Sequence, residues 1–148
     1  MESETRTQVI GRIMATRVVT IEMDDSLEVV RDIFKKVQFH HLLVVDNQKL
    51  VGIISDRDML KAVSPFVGTM SETTRDRATL NKRAHQIMSH HPVTICLSCS
   101  LEEAAQLMLA QGVSCLPVTT KNGEVLGIVT WKDVLRAILD FDKFTDVL

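Results

Sequence analysis

The 148-residue chain carries one pattern twice. With Ile13 laid over Ile87, an offset of 74 positions, "IMATRVVTIEMDDSLE" falls on "IMSHHPVTICLSCSLE", and Leu42 and Val44 fall on Leu116 and Val118. One extra residue in the turn that holds Gly123 restores the match, so that Gly52, Ile53, Asp58, Leu60 and Ala62 meet Gly127, Ile128, Asp133, Leu135 and Ala137. About fifteen identities in roughly fifty pairs, mostly at apolar or motif positions, identify two copies of one structural unit of about fifty residues.

Each copy has a readable order of elements. "VVTI" (Val18 to Ile21) and "VTIC" (Val93 to Cys96) are short and β-branched, which predicts strands. Asp25 with Glu28, and Ser100 with Glu103, have the spacing of a capping box at a helix start. Leu27, Val30, Ile33, Phe34 and Val37, and then Leu101, Ala104, Ala105 and Met108, recur at helical intervals and give each helix one apolar face. "HLLVVD" and "CLPVTT" are buried-strand runs ended by the turns "DNQK" and "TKNGE"; "LVGIIS" and "VLGIVT" return as strands, and "DRDMLKAV" and "WKDVLRAIL" close each copy as helices. The expected fold is α/β (α+β), a tandem βαββα repeat. The copies fall at 7–68 and 80–142, with a linker at 69–79 and a tail at 143–148. Ser71 to Arg77 is expected to be a mobile loop rather than an ordered lid, because no apolar anchor sits inside it.

Length suffices for one compact core. Apolar residues at 45% and charged residues at 24% match soluble globular proteins, and no apolar run approaches the roughly 18 residues of a membrane span. A net charge of -2, without a basic block, argues against nucleic acid as a partner. The polar N-terminus lacks the apolar region of a secretory signal, so a cytoplasmic protein is expected. Three cysteines without export features are expected to be reduced thiols.

Glycine inside a strand weakens it unless something approaches the backbone there, and Gly52 and Gly127 are such positions. Three residues later Ser55 and Thr130 stand where strand passes to helix, and a further three residues on come Asp58 and Asp133. Hydroxyl, helix start and carboxylate together suit a phosphate and the paired hydroxyls of a ribose. The alternative is purely structural, with the hydroxyls as caps and the aspartates complementing the helix dipole.

The duplicated "IM…VVTI…SLE…HLLVVD…LVGIISDRDML" and "IM…PVTI…SLEEAA…CLPVTT…LGIVTWKDVL" resemble a pair of CBS domains, the cystathionine-β-synthase-type repeat, over about residues 9 to 140. "SDRDM" before "KAVSP", with the later "GVSCLPV", is most similar to the CBS pair of acetoin-utilisation accessory proteins, although the further C-terminal domain of those proteins is not found before Leu148. The resemblance implies two repeats forming one pseudo-twofold (Bateman) module, a homodimer, and ligand clefts between the copies. The implied ligands are adenosyl compounds: AMP, ADP or ATP foremost, with S-adenosylmethionine or NAD as alternatives. Asp58 and Asp133 become the ribose-binding aspartates, Ser55 and Thr130 lie near ribose or phosphate, and Thr20 and Thr94 border the base, with Asp58 paired crosswise to Thr94. A basic pair before the second strand contacts phosphate in related members; here the position holds His40 and His41 in copy one but Ser114 and Cys115 in copy two. The better phosphate site is therefore expected at His40, His41, Ser55, Arg57 and Asp58, and a weaker or empty one at Thr130, Lys132 and Asp133.

Other features have simpler readings beside functional ones. Trp131 either stacks on a ligand or is a partly buried aromatic at a helix start. Adjacent histidines in a strand point to opposite faces, so neither His40–His41 nor His90–His91 chelates a metal alone; the second pair faces either the cleft or solvent. "CLSC" (Cys96 to Cys99) has the gap of metal and redox pairs but coincides with a strand-to-helix turn, which favours ordinary turn packing. No nucleophile elbow, P-loop, metalloprotease or kinase pattern is present, so no enzyme is expected. The expected function is a stand-alone sensor that reports adenosyl-ligand occupancy to a regulated partner. The rivals are a metal or thiol-redox sensor and a structural dimerisation module.

Overall fold

A computed structural model describes the backbone of residues 10–146 and the side chains of residues 10–140. Positions 7–9 of the first copy and 147–148 of the tail lie outside the described residues. In chain order the elements are α1 (Ile10–Ile13), β1 (Thr20–Glu22), α2 (Leu27–Lys36), β2 (His41–Asp46), β3 (Lys49–Ser55), α3 (Asp56–Ala62), α4 (Thr74–Ala78), a single 3-10 turn (Thr79–Asn81), α5 (Ala84–Ile87), β4 (Ser89–His90), α6 (Leu101–Gln111), β5 (Cys115–Thr119), β6 (Val125–Thr130) and α7 (Trp131–Asp146). No helix among the described residues is long and apolar enough to cross a membrane.

Two compact units form instead of a single core, and they do not follow the repeat. One is Val19–Pro92; the other joins the described residues up to Val18 to those from Val93 onward. The first holds a four-stranded sheet in the order β1-β2-β3-β4, with β1 parallel to β2 and the remaining pairs antiparallel. Asn47 and Gln48, both at positive φ, make the tight β2–β3 turn, whose mirror-type geometry matches the twist of a hairpin. Ile21, Leu27, Val30, Leu42, Val44, Ile54 and Met59 form its core together with Ala84 and Met88, which come from the second copy. The other unit pairs β5 with β6 and builds its core from Ile95, Ala104, Met108, Leu116, Val118, Val129 and Val134, together with Ile10 from the first copy. Each copy thus receives the incoming "IM" segment of the other.

The repeated glycines explain how that segment fits. A Cβ on Gly52 would stand 2.8 Å from Cγ of Met88, and one on Gly127 would stand 2.6 Å from the Ala15 carbonyl oxygen and 2.7 Å from Sδ of Met14. What approaches the strand at both places is the protein's own segment. The two repeated motif elements, Ile-Met and strand glycine, are two halves of one packing contact.

Several expectations are corrected. The α2 N-cap is Ser26, whose hydroxyl accepts from Val29 N–H, while the Asp25 carboxylate turns back to accept from Glu22 N–H at 2.8 Å. Ser100 with Glu103 does form the reciprocal box, at 3.1 and 2.9 Å. "VTIC" contributes a lone parallel bridge at Ile95 rather than a strand. The reason is visible in its counterpart: Leu43 N–H donates to the Val19 carbonyl at 3.3 Å, whereas the equivalent of Leu43 is Pro117, which has no N–H to give Val93.

The 71–77 segment is helical from Thr74 onward, in α4. Thr73 and Asp76 form a reciprocal cap, Ser64 Oγ donates to Asp76 at 2.8 Å, and Leu80, 2% exposed, anchors the following turn just beyond the stretch that lacks an apolar residue. Two of the three expected thiols are instead joined: Cys96 and Cys99 form a disulfide with their Cα atoms 5.4 Å apart, a separation that the strand-to-helix turn sets and that suits the bond. Cys115 is a buried free thiol.

Candidate ligand-binding site

Register places the first candidate site. The β2–β3 pairing sets His41 opposite Ser55, so the start of one strand and the end of the next meet where α3 begins. Asp56 N–H donates to the His40 carbonyl at 2.9 Å and closes the junction. Five side chains meet there, His40, His41, Ser55, Asp56 and Asp58, with Arg57 exposed in the first turn of α3. Asp56 was not anticipated, although its position beside "SD" and one strand away from "HH" is a signal once the register is known.

The hydrogen bonds assign roles within the group. Ser55 Oγ accepts from Asp58 N–H at 3.1 Å, and Asp58 Oδ2 accepts from Ser55 N–H at 2.8 Å, so both residues serve as a reciprocal cap of α3. That leaves Asp58 Oδ1 without a hydrogen bond from any described residue. His40 is engaged by its neighbour, with Nδ1 2.9 Å from Asp56 Oδ2. This contact is the main reason that the Asp56 carboxyl is held below its ordinary value. Burial pushes the His41 imidazole below the ordinary histidine value, with His40 adding to the effect, while the carboxylates of Asp56 and Asp58 oppose it. His41 therefore favours its neutral form, and an anion beside it would draw a proton onto the ring. Arg57, in the first turn of α3, is exposed.

The second junction uses the same backbone with different side chains. Thr130 pairs with Cys115, and Trp131 N–H donates to the Ser114 carbonyl at 2.9 Å. Asp133 Oδ2 accepts both the N–H and the hydroxyl of Thr130, at 2.9 and 3.0 Å, and its Oδ1 lies 3.7 Å from Arg136 Nη1. Oδ2 of Asp133 is thus taken by Thr130, and Oδ1 has the exposed Arg136 as an ion-pair neighbour. Lys132 Nζ sits 5.9 Å from the Trp131 ring, a cation–π distance that covers an indole left 49% exposed.

The remaining expected residues fall elsewhere. Thr20, exposed on β1, lies in the same unit as Asp58, and Thr94, exposed beside the Ile95 bridge, lies in the same unit as Asp133. Both His90 and His91 are exposed, His91 at φ 50°, and the described residues contain no His, Cys, Asp or Glu cluster suited to a metal ion. A surface concavity of about 450 Å³ is lined by Glu28, Glu72 and Arg77, but these charges already face one another at 3.6 to 4.0 Å.

Comparison with known proteins gives this geometry a context. The family description "CBS domain" matches twice, over residues 10–65 and 84–140. A CBS domain-containing protein of Dictyostelium discoideum is 36% identical over 132 residues, covering 88% of this chain and 90% of its own. Other relatives are longer: the chain spans 21% of an inosine-5'-monophosphate dehydrogenase of Korarchaeum cryptofilum, at 31% identity. The crystal structure of CBSX2 in complex with AMP superimposes at a TM-score of 0.75, with 26% identity, over 90% of this chain and 98% of that one. The CBS pair of protein MJ0100, solved with 5'-methylthioadenosine and S-adenosyl-L-methionine, gives 0.72 and 26% over 88% and 95%. A putative acetoin utilization protein from Vibrio cholerae shares the fold at 0.74 and 22% identity, over 95% and 96%.

Proposed function

The chain belongs to the CBS-domain family and carries two of its repeats, and from that premise we propose that it is a regulatory module that binds an adenosyl ligand and reports occupancy to a partner. AMP, ADP and ATP rank ahead of S-adenosylmethionine and NAD. The observation that carries this reading is the first junction, where Ser55 N–H binds one carboxylate oxygen of Asp58, the other has no hydrogen bond among the described residues, and His41 pairs with Ser55 across the strands. An open oxygen accepts from a ribose hydroxyl, and the imidazole and guanidinium take up phosphate charge. That related structures hold AMP and S-adenosylmethionine supports the ligand class.

In this reading the protein acts as a cytoplasmic homodimer. Leu60 and Leu135, equivalent in the two repeats, are 80% and 48% exposed, and a second copy would cover them. Signalling follows if the ligand favours one of two states of the protein, since occupancy then shifts the population that a partner meets.

Thermal unfolding with AMP, ADP, ATP, NAD, S-adenosylmethionine and no ligand, at matched ionic strength, tests the proposal. Ligand at about 100 times its dissociation constant adds roughly 2.7 kcal/mol, a shift of a few degrees. The expected result is a shift for at least one adenosyl compound that Asp58→Asn removes; Asn keeps an acceptor for Ser55 N–H, so loss of the shift reports the ligand contact. No shift with any of them would overturn the reading.

A further inference from the structure

The turns that receive the exchanged segments differ in one respect that matters chemically. In the first unit the turn Glu22–Asp25 accepts two N–H groups from the start of α5: Ala84 N–H on the Asp25 carbonyl at 2.8 Å and His85 N–H on the Met23 carbonyl at 3.1 Å. In the second unit the turn Cys96–Cys99 accepts the equivalent pair from α1: Ile10 N–H on the Cys99 carbonyl at 2.9 Å and Gly11 N–H on the Leu97 carbonyl at 3.2 Å. Both turns share a backbone bond, Asp25 N–H to Glu22 O at 3.1 Å and Cys99 N–H to Cys96 O at 3.2 Å. Their second closure is different. The first uses the Asp25 carboxylate on Glu22 N–H at 2.8 Å, and the second uses the Cys96–Cys99 disulfide.

We propose that Cys96 and Cys99 are a thiol–disulfide exchange site that controls how firmly the segment Ile10–Val18 docks on the second unit. Cys96 is exposed and Cys99 half-buried against the core, so an external thiolate reaches the Cys96 sulfur first. A dithiol reductant attacks Cys96 Sγ, the Cys96–Cys99 bond breaks, and Cys99 leaves as a thiolate that takes up a proton. The second thiol of the reductant then displaces Cys96, so that two electrons and two protons pass to the protein and the reductant becomes a disulfide. Oxidation is the reverse, with a disulfide as acceptor. Cys115 does not compete: it is buried, with its thiol pushed up to about 11.

Reduction removes the covalent closure and leaves one backbone hydrogen bond to shape the two carbonyls on which α1 docks. The same segment supplies Met14 to the Gly127 site and the paired hydrogen bonds between Ala15 and Ile128, at 2.9 and 3.0 Å. Loosening the turn therefore propagates along the incoming chain to β6, which ends at Thr130. The first unit has no such lever, since a carboxylate clamp ignores thiol reagents.

Hydrogen exchange with mass spectrometry on the full chain, with and without excess dithiothreitol, tests this directly. Thiol labelling in denaturant should find one free cysteine before reduction and three after. On reduction, amides of residues 10–15 should exchange at least about tenfold faster, while those of 84–89 stay unchanged as the internal reference. Cys99→Asp restores the carboxylate of the first unit at the equivalent position; it should dock the segment and abolish the response to reductant. Three free cysteines after treatment with oxidised dithiothreitol would overturn the proposal, as would equal acceleration in both segments, no acceleration, or a Cys99→Asp protein that still responds to reductant.

Discussion

Glu22–Asp25 and Cys96–Cys99 occupy the same place in two copies of one fold, and each accepts two N–H groups from a helix start supplied by the other copy. They differ in what closes the turn, a hydrogen-bonded carboxylate against a covalent bond. The strand-to-helix junctions repeat the lesson. Ser55–Asp58 and Thr130–Asp133 keep the same cap, yet the second carboxylate oxygen of Asp58 has no partner among the described residues, while that of Asp133 has Arg136 3.7 Å away. Duplication preserved the turn and cap backbone contacts of each unit, while divergence changed the side chains around them and, at Pro117, one backbone hydrogen bond as well.

The largest expected effect tests whether the two glycine contacts are equivalent. Gly127→Ala drives a methyl into the Ala15 carbonyl and should cost about 3 kcal/mol by urea unfolding, whereas Gly52→Ala meets the Met88 side chain, which can shift, and should cost about 1 kcal/mol. Met14→Ala should not rescue Gly127→Ala, because backbone sets the limit there. Equal losses would mean that the methionines, not the carbonyl, set the fit.

Titration calorimetry with AMP sharpens the comparison of the junctions. Asp58→Asn should weaken binding by about tenfold or more and Asp133→Asn by less than about threefold, as expected for a charged hydrogen bond made at only one of them. Losses of the same size would end the argument for one stronger site. The next effect is smaller and depends on pH. Burial lowers the His41 pKa in the free protein and bound phosphate raises it, so binding takes up a proton. Affinity should fall about fivefold as pH rises through the bound-state pKa, within a pH 5.5–8 series, and His41→Gln should flatten the profile. A wild-type profile that is already flat would remove His41 from the phosphate contact.

The smallest effect concerns the missing strand. Pro117→Ala restores the N–H that Leu43 has in the first copy, and the new amide should be protected from exchange by the Val93 carbonyl. Net stability should change by less than about 1 kcal/mol, because lost apolar volume offsets the added hydrogen bond. An unprotected amide would show that proline is not what limits the strand.

Much of this was legible before any coordinates. The hairpins follow short apolar runs and turn residues, β2 and β6 begin and end where the pattern puts them, and Ser100 caps α6. The Ser26 cap was legible too, since the repeat aligns Ser26 with Ser100; the spacing of Asp25 with Glu28 obscured it. The ordering of α4 was harder to read because it rests on Ser64 and Leu80, which lie outside the segment itself. At the candidate site the motif pointed to Ser55, Asp58 and the histidine pair, but Asp56 emerged only with the β2–β3 register.

The sequence by itself determined that there are two copies, which of their runs are strands and helices, and that glycine recurs inside one strand of each, because these depend on residues near one another in the chain. Only the tertiary structure decided which copy each Ile-Met segment packs on, and therefore that the glycines admit methionine and backbone rather than a ligand. The two copies present nearly the same local pattern at those strands, so either pairing satisfies it. Long-range packing settles the choice, joining the segment from Ile10 to β6 and the segment from Ala84 to β3.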